Sequence, residues 1–202
     1  ESYHQQGSSV TFTKNLVTGI SGSERGFYLS TEPVVDGAGN TVVVQDNRFA
    51  GILSDGSVGT AIWLMMNGVG SSATVTDNEI DGASYAGINI EGRNIGTYGG
   101  PTLTVSGNTV ANVAQQGIQI AGAVSQAAIS QNVLTAANTS LGSDKGGIRL
   151  YTSAFTGPIT IQNNTISGSY NGIAVKDGQS LVGKSILVCN NVLGGNANAG
   201  VY

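Results

Sequence analysis

The chain has 202 residues, of which 40% are hydrophobic and only 10% are charged, and its formal net charge is −4. This balance argues against a nucleic-acid partner, because nucleic-acid-binding surfaces carry a basic stripe, whereas an acidic polysaccharide needs only a local basic patch. No apolar stretch approaches the roughly 18 residues of a membrane-spanning helix, so no membrane span is expected in this segment.

One sequence pattern centred on an asparagine returns seven times along the chain. The asparagines are Asn15, Asn47, Asn78, Asn108, Asn132, Asn164 and Asn191, and 24 to 32 residues separate each from the next. Apolar or small residues occupy the positions five and three before each asparagine and two after it. This alternation predicts short strands with one buried face, and self-similarity at such a period indicates stacked repeats.

The predicted strands follow one another in chain order within each repeat. The first strand contributes the inward-pointing residues Val10 and Phe12, Val42 and Val44, Ala73 and Val75, Leu103 and Val105, Ala127 and Ile129, Ile159 and Ile161, and Ile186 and Val188. The second strand, directly after the asparagine, contributes Val17, Phe49, Ile80, Val110, Leu134, Ile166 and Leu193. The third strand, after a loop, contributes Phe27 and Leu29, Ile62 and Leu64, Ile88 and Ile90, Ile118 and Ile120, Ile148 and Leu150, and Ile173 and Val175. Stacked repeats would join these residues into one core.

Two recurring residue types are expected to shape the bends between the strands. Each repeat asparagine is expected to adopt the left-handed backbone conformation and to bond through its amide to the equivalent asparagine of the next repeat. A glycine precedes the third strand and is expected to supply backbone freedom at the second bend. These glycines are Gly26, Gly87, Gly117, Gly147, Gly172 and Gly200, while in the second repeat Gly59 stands two residues early.

The repeat resembles that of the right-handed parallel β-helix proteins of the pectate-lyase-like superfamily, over essentially the whole chain. The resemblance implies an all-β solenoid, a right-handed single-stranded parallel β-helix of about seven rungs. It also implies that the strand before the asparagine belongs to the second sheet, the next strand to the third and the glycine-preceded strand to the first. We expect residues 1–202 to form one domain. Because Glu1 is not a methionine and Tyr202 falls inside a predicted strand, we expect a piece of a longer protein.

A stripe of outward-pointing residues on the first sheet is the candidate ligand-binding site. In β-helix enzymes the substrate usually lies along this face, and the residue between the two inward positions points towards it. The stripe reads Tyr28, Trp63, Asn89, Gln119 and Arg149, followed by Ala174. Aromatic faces and amides suit a sugar chain. The alternative interpretation is that such residues only stack across neighbouring strands, as they do on any sheet.

Charged residues near the stripe are the candidate catalytic groups. A lyase acting on uronic acids needs a base and a cation or Ca²⁺ that neutralises the carboxylate. Lys145, Arg149 and Lys176 on adjacent repeats could serve, and Asp144 or Asp177 could help to bind Ca²⁺. The alternative is that these are solvated loop residues, since Asp177-Gly178 is an ordinary turn sequence.

The sequence supports two functional hypotheses of different class. The first is a non-enzymatic module, adhesin-like or autotransporter-passenger-like, that binds a glycan or a protein of a host or cell surface and needs no cofactor. The second is a polysaccharide lyase, for which Ca²⁺ is a possible cofactor. Hydrolase signatures such as Gly-His-Gly are absent. The single cysteine, Cys189, and the abundance of uncharged polar residues predict a secreted or cell-surface location.

Overall fold

The computed structural model describes residues 3–4, 7–31, 39–54, 58–68, 70–93, 100–137, 145–177 and 185–202. Within these ranges the chain forms 22 strands, numbered β1 to β22 in chain order, which assemble into three sheets. The same ranges contain no helix that is long and apolar enough to cross a membrane.

Each sheet takes every third strand of the chain. Sheet 1 has eight strands: β1 (Tyr3–His4), β4 (Phe27–Thr31), β7 (Ile62–Asn67), β10 (Ala86–Arg93), β13 (Gln116–Val124), β16 (Gly146–Phe155), β19 (Asn171–Asp177) and β22 (Ala199–Val201). Sheet 2 has seven: β2 (Ser9–Thr13), β5 (Thr41–Gln45), β8 (Ser72–Thr76), β11 (Thr102–Ser106), β14 (Gln126–Ser130), β17 (Ile159–Gln162) and β20 (Ile186–Cys189). Sheet 3 has seven: β3 (Leu16–Gly22), β6 (Arg48–Ser54), β9 (Glu79–Ala83), β12 (Thr109–Val113), β15 (Val133–Ala137), β18 (Thr165–Ser167) and β21 (Val192–Gly194).

All the strand pairs are parallel, and each joins equivalent strands of successive repeats. Strand β10, for example, pairs with β7 on one side and with β13 on the other. The chain therefore coils through sheets 2, 3 and 1 once per repeat. The predicted fold class, an all-β parallel β-helix, is confirmed, and the equivalent strands of successive repeats share a sheet.

The inward positions predicted from the sequence form the core. Those from Leu29 to Ile173 are at most 1% exposed, whereas those of the first and last coils, such as Val10 and Val188, are partly buried. Each fully buried aliphatic side chain contributes about 1.5–3 kcal/mol to folding. A further inward position, which was not predicted, lies five residues after the repeat asparagine and is occupied by Ile52, Ala83, Val113 and Ala137.

The repeat asparagines form a hydrogen-bonded ladder along the bend between sheets 2 and 3, as predicted. Asn108, which is buried, donates from its backbone nitrogen and from Nδ2 to Oδ1 of Asn132, at 3.0 and 2.9 Å. The expectation that these asparagines are left-handed is wrong. The residue before each one has the positive φ instead: Lys14, Asp46, Asp77, Gly107, Gln131, Asn163 and Asn190, with φ from 54° to 67°.

A second row of left-handed residues, which the sequence reading did not predict, crosses sheet 3 four positions after the ladder asparagine. It consists of Gly19, Gly51, Gly82, Asn112, Ala136, Gly168 and Gly195. Five of the seven are glycine, which reaches positive φ without a steric penalty. Ala136, at φ 52°, is the member least suited to this conformation.

The glycines predicted at the second bend, apart from Gly200, are needed for space rather than for backbone freedom, which corrects the expectation. None of them has a positive φ. A Cβ atom on Gly117 would lie 2.3 Å from Cδ2 of Leu134 and 2.6 Å from the carbonyl oxygen of Gly147. The absence of a side chain at these glycines therefore lets the backbone lie close to the backbone of the next coil and to side chains of the core.

Candidate functional site on the outer face of sheet 1

The stripe predicted from the sequence exists as a row of aligned residues on sheet 1. Tyr28 pairs with Trp63, Trp63 with Asn89, Asn89 with Gln119, Gln119 with Arg149, and Arg149 with Ala174. Neighbouring members of the row are about 4.8 Å apart, the spacing of paired strands. The predicted register is therefore correct, and the question becomes which of these side chains a ligand can reach.

The polar half of the row is buried. Asn89, Gln119 and Arg149 are 3%, 5% and 8% exposed. Arg149 donates from Nη1 to Oε1 of Gln119 at 2.8 Å, and Gln119 donates from Nε2 to Oδ1 of Asn89 at 2.9 Å. The three side chains therefore form a continuous chain of hydrogen bonds along the sheet. Because the amides of Asn89 and Gln119 are bonded to neighbouring side chains, they have less hydrogen-bonding capacity for sugar hydroxyls than was expected from the sequence.

Arg149 is held in place by an aromatic ring as well. Its guanidinium carbon lies 4.5 Å from the ring centroid of Tyr151, the next outward residue of β16. Tyr151 is 46% exposed, so it covers the guanidinium from the solvent side. A cation–π contact of this kind helps to fix the orientation of the arginine.

The three predicted catalytic residues do not meet at one point. Lys145 directly precedes β16, and its carbonyl oxygen accepts a hydrogen bond from Nδ2 of Asn171 at 2.9 Å. Arg149 lies four residues further, about 13 Å along the strand. Lys176 is exposed and pairs with Tyr151, so it lies about 20 Å from the level of Lys145 in the strand direction. The backbones of Lys145 and Lys176 are therefore far apart, while Lys176 lies close to Arg149 on the neighbouring strand.

The predicted Ca²⁺ ligands fall largely outside the described residues. Asp144 is not described, and of Asp177 only the backbone is described, paired with Thr152. Among the described residues, no three His, Cys, Asp or Glu side chains come close enough together to bind a metal ion. The Ca²⁺ site therefore stays a prediction.

The aromatic end of the row contains a cation that the sequence reading missed. The guanidinium carbon of Arg25 lies 4.4 Å from the ring centroid of Tyr28 and 4.3 Å from that of Trp63. The two rings meet edge to face, with centroids 6.0 Å apart. All three side chains are partly exposed. We call Arg25, Tyr28 and Trp63 the aromatic–arginine cluster.

The position of Arg25 is fixed by its neighbours in the chain. The backbone nitrogen of Glu24 donates to Oγ of Ser54 at 3.2 Å, and the same hydroxyl donates to the carbonyl oxygen of Glu24. On the other side, the backbone nitrogen of Gly26 donates to the carbonyl oxygen of Thr60 at 3.0 Å. Arg25 therefore extends from a backbone segment that is tied to the second coil at both ends.

One sequence signal could have identified Arg25. In the other repeats with a glycine at this bend, the residue before it is uncharged: Ala86, Gln116, Gly146, Asn171 and Ala199. Arg25 is thus the one charged residue at a position that small or amide-bearing residues occupy in these other repeats. The sequence could not show that the side chain lies against Tyr28 and Trp63.

Two hydrogen-bond donors of the cluster have no partner in the described part of the chain. They are Nε of Arg25 and Nε1 of Trp63, and both are buried. A buried donor without a partner destabilises the structure by about 1–3 kcal/mol. The cluster therefore combines a fixed cation with two buried donors that lack a partner in the described residues.

Comparison with known proteins gives one match. A protein-family model described as "Right handed beta helix region" matches residues 89–193, which is just over half of the chain. No protein with a curated description matches, and no solved structure matches.

Proposed function

The chain belongs to the right-handed β-helix family, and from this premise we propose that it is a non-enzymatic module that binds a glycan on the outer face of sheet 1. The observation that carries the proposal is the aromatic–arginine cluster. In the outward row, Tyr28 and Trp63 stay partly exposed while the polar members from Asn89 to Arg149 are buried. Aromatic rings beside hydrogen-bond donors are the groups that sugars bind.

A non-enzymatic role is supported by the way the charged groups are used. Arg149 is engaged by Gln119 and Tyr151, and Lys145 and Lys176 lie at opposite ends of their strands. A catalytic site needs its groups to converge on one reacting atom. The family contains proteins of many functions, so membership alone does not favour either role.

We place the module outside the cell, as part of a secreted or cell-surface protein. The support is compositional: few charges, one cysteine and many uncharged polar side chains. A scaffold of this kind presents its long sheets to the surroundings, and a glycan of a host or of a neighbouring cell is the partner that the cluster fits best. A protein partner is the other outcome of a binding test.

The lyase alternative keeps one supporting observation. Arg149 sits on the face where the related enzymes bind their substrates, and Gln119 and Tyr151 hold it in one orientation. An arginine fixed in this way suits a carboxylate. Of the two predicted lysine bases, Lys176 lies opposite Tyr151 on the neighbouring strand, close to Arg149, whereas the backbone of Lys145 is about 13 Å from Arg149 along the strand.

A binding screen tests the proposal. Wild-type protein, Trp63→Leu and Tyr28→Leu would be passed over immobilised neutral and acidic polysaccharides, with Leu187→Ala as the control. Leu187 is an exposed apolar residue of sheet 2, outside the proposed binding face. We expect one class of polysaccharide to bind, and each cluster variant to weaken binding about tenfold or more. Thermal melts check that the variants are folded. Wild-type protein that binds no polysaccharide would refute the proposal.

A further inference from the structure

We propose that Arg25 is the anchor for one acidic group, a carboxylate or a sulfate, of the glycan bound at the aromatic–arginine cluster. This inference rests on the function proposed above and adds the chemical class of the ligand. It predicts that acidic polysaccharides bind and that neutral ones do not.

The stacking of Arg25 determines which of its atoms a ligand meets. The guanidinium carbon lies 4.4 Å from the ring centroid of Tyr28 and 4.3 Å from that of Trp63, and the two rings are nearly perpendicular, at 82°. The N–H groups that face away from the rings can donate two parallel hydrogen bonds to a carboxylate or sulfate. The same stacking covers part of both rings, which leaves less aromatic surface for a neutral sugar.

Arg25 differs from the other arginines in having no polar partner in the described part of the chain. No carboxylate lies within ion-pair distance of it, and no acceptor receives a hydrogen bond from its guanidinium. The other three arginines each have a polar side-chain contact at 4.0 Å or less: Glu79 for Arg48, Glu91 for Arg93 and Gln119 for Arg149.

The terminal nitrogens of Arg25 are the donors that an acceptor from outside the chain can reach. Nε of Arg25 and Nε1 of Trp63 are buried, whereas the two Nη atoms are not among the buried unpaired groups, and Arg25 as a whole is partly exposed. The Nη atoms carry N–H groups that an oxyanion can accept. Because hydrogen bonds of Glu24 and Gly26 to the second coil hold Arg25 in place, little conformational freedom is lost on binding.

The experiment compares three polysaccharides and four proteins. The polysaccharides are polygalacturonate, dextran sulfate and neutral dextran, each immobilised. The proteins are wild type, Arg25→Gln, Arg25→Lys and the control Arg48→Gln. The control also removes one positive charge. It breaks the exposed ion pair of Arg48 with Glu79, which contributes little to stability. The preferred acidic polymer identifies the group as carboxylate or sulfate.

We expect wild-type protein to bind an acidic polymer and Arg25→Gln to bind it about tenfold more weakly or worse, because a charge-assisted hydrogen bond is lost. Arg25→Lys should also weaken binding, since lysine has no planar fork. Arg48→Gln should bind like wild type. Free sodium glucuronate or a sulfated monosaccharide should compete with wild-type binding, and glucose should not, which tests the inference without any variant.

The two proposals can fail separately. If neutral dextran binds as well as the acidic polymers and Arg25→Gln has no effect, the glycan-binding function stands and the acidic anchor is refuted. If Arg25→Gln and Arg48→Gln weaken acidic binding equally, the attraction is general electrostatics and the anchor is again refuted. If wild-type protein binds no polymer, both proposals are refuted.

Discussion

Asn78 donates two hydrogen bonds to the same atom of Asn108. The backbone nitrogen and Nδ2 of Asn78 each lie 3.0 Å from Oδ1 of Asn108. Asn108 repeats the arrangement towards Asn132, and its Nδ2 also donates to the carbonyl oxygen of Val75 at 2.9 Å. The ladder therefore satisfies the polar groups that the bend between sheets 2 and 3 buries.

Replacing Asn108 with alanine should destabilise the protein strongly. The change leaves the backbone N–H of Asn78 and the carbonyl oxygen of Val75 without these partners in a buried place. We expect the free energy of unfolding to fall by about 3 kcal/mol, measured by urea denaturation. Asn15→Ala is the matched control, because Asn15 is exposed at the start of the ladder. If the free energy of unfolding falls by a similar amount in both variants, burial does not determine how much a ladder asparagine stabilises the protein.

Replacing Ala136 with glycine should stabilise the protein. Ala136 has a φ of 52°, and a non-glycine residue in the left-handed region is unfavourable by about 1–2 kcal/mol. Glycine removes that strain but loses more entropy on folding, so we expect a gain of about 1 kcal/mol at most. The reverse change at the equivalent position of the next coil, Gly168→Ala, should destabilise by a similar amount. A lower melting temperature for Ala136→Gly would contradict the assigned backbone conformation.

Replacing Gly117 with alanine should destabilise the protein because of crowding. The added Cβ would lie 2.3 Å from Cδ2 of Leu134, and we expect a loss of about 1–3 kcal/mol. Gly200→Ala is the control from the last coil, where the nearest atom would be 3.5 Å away. Chemical denaturation of both variants tests this. If Gly117→Ala and Gly200→Ala have the same stability, the glycine at position 117 is not needed for the close approach of neighbouring coils.

The sequence predicted the strands, their sheets and their register because each depends on local alternation. Inward and outward positions follow from the two-residue period of a strand, and stacking then aligns equivalent residues such as Gln119 and Arg149. The offset of the left-handed residue by one position, from Asn108 to Gly107, was not predicted, because the repeat pattern locates the bend but does not show which of its residues has the positive φ.

The candidate site was predicted only in part. The sequence placed Tyr28 and Trp63 side by side, but an outward position does not reveal what covers a side chain, so the burial of Gln119 and Arg149 was missed. Arg25 was not predicted because it precedes the strand and does not belong to the repeating pattern. Its contact with Trp63 on the neighbouring strand therefore leaves no mark in the sequence. Rows of hydrogen-bonded side chains and cation–π contacts depend on side-chain orientation, which the repeat pattern does not determine.

A lyase assay should give no signal. We would incubate the protein with polygalacturonate, alginate and glycosaminoglycans, with and without Ca²⁺, and follow the ultraviolet absorbance of unsaturated products. Because Lys145 and Lys176 are separated by about 20 Å along the strands, we expect no product. A rising absorbance that is lost in Arg149→Ala and in Lys145→Ala would instead establish the lyase and place its site.

The most direct test of the central claim uses the only tryptophan of the chain, Trp63, which lies in the aromatic–arginine cluster. Its fluorescence would be recorded while polygalacturonate, dextran sulfate or neutral dextran is titrated into the wild-type protein. The account predicts a saturable change in Trp63 emission with an acidic polysaccharide, reversed by competing monosaccharide. Emission that stays constant with every polysaccharide, in protein that melts cooperatively, would contradict a glycan site on the outer face of sheet 1.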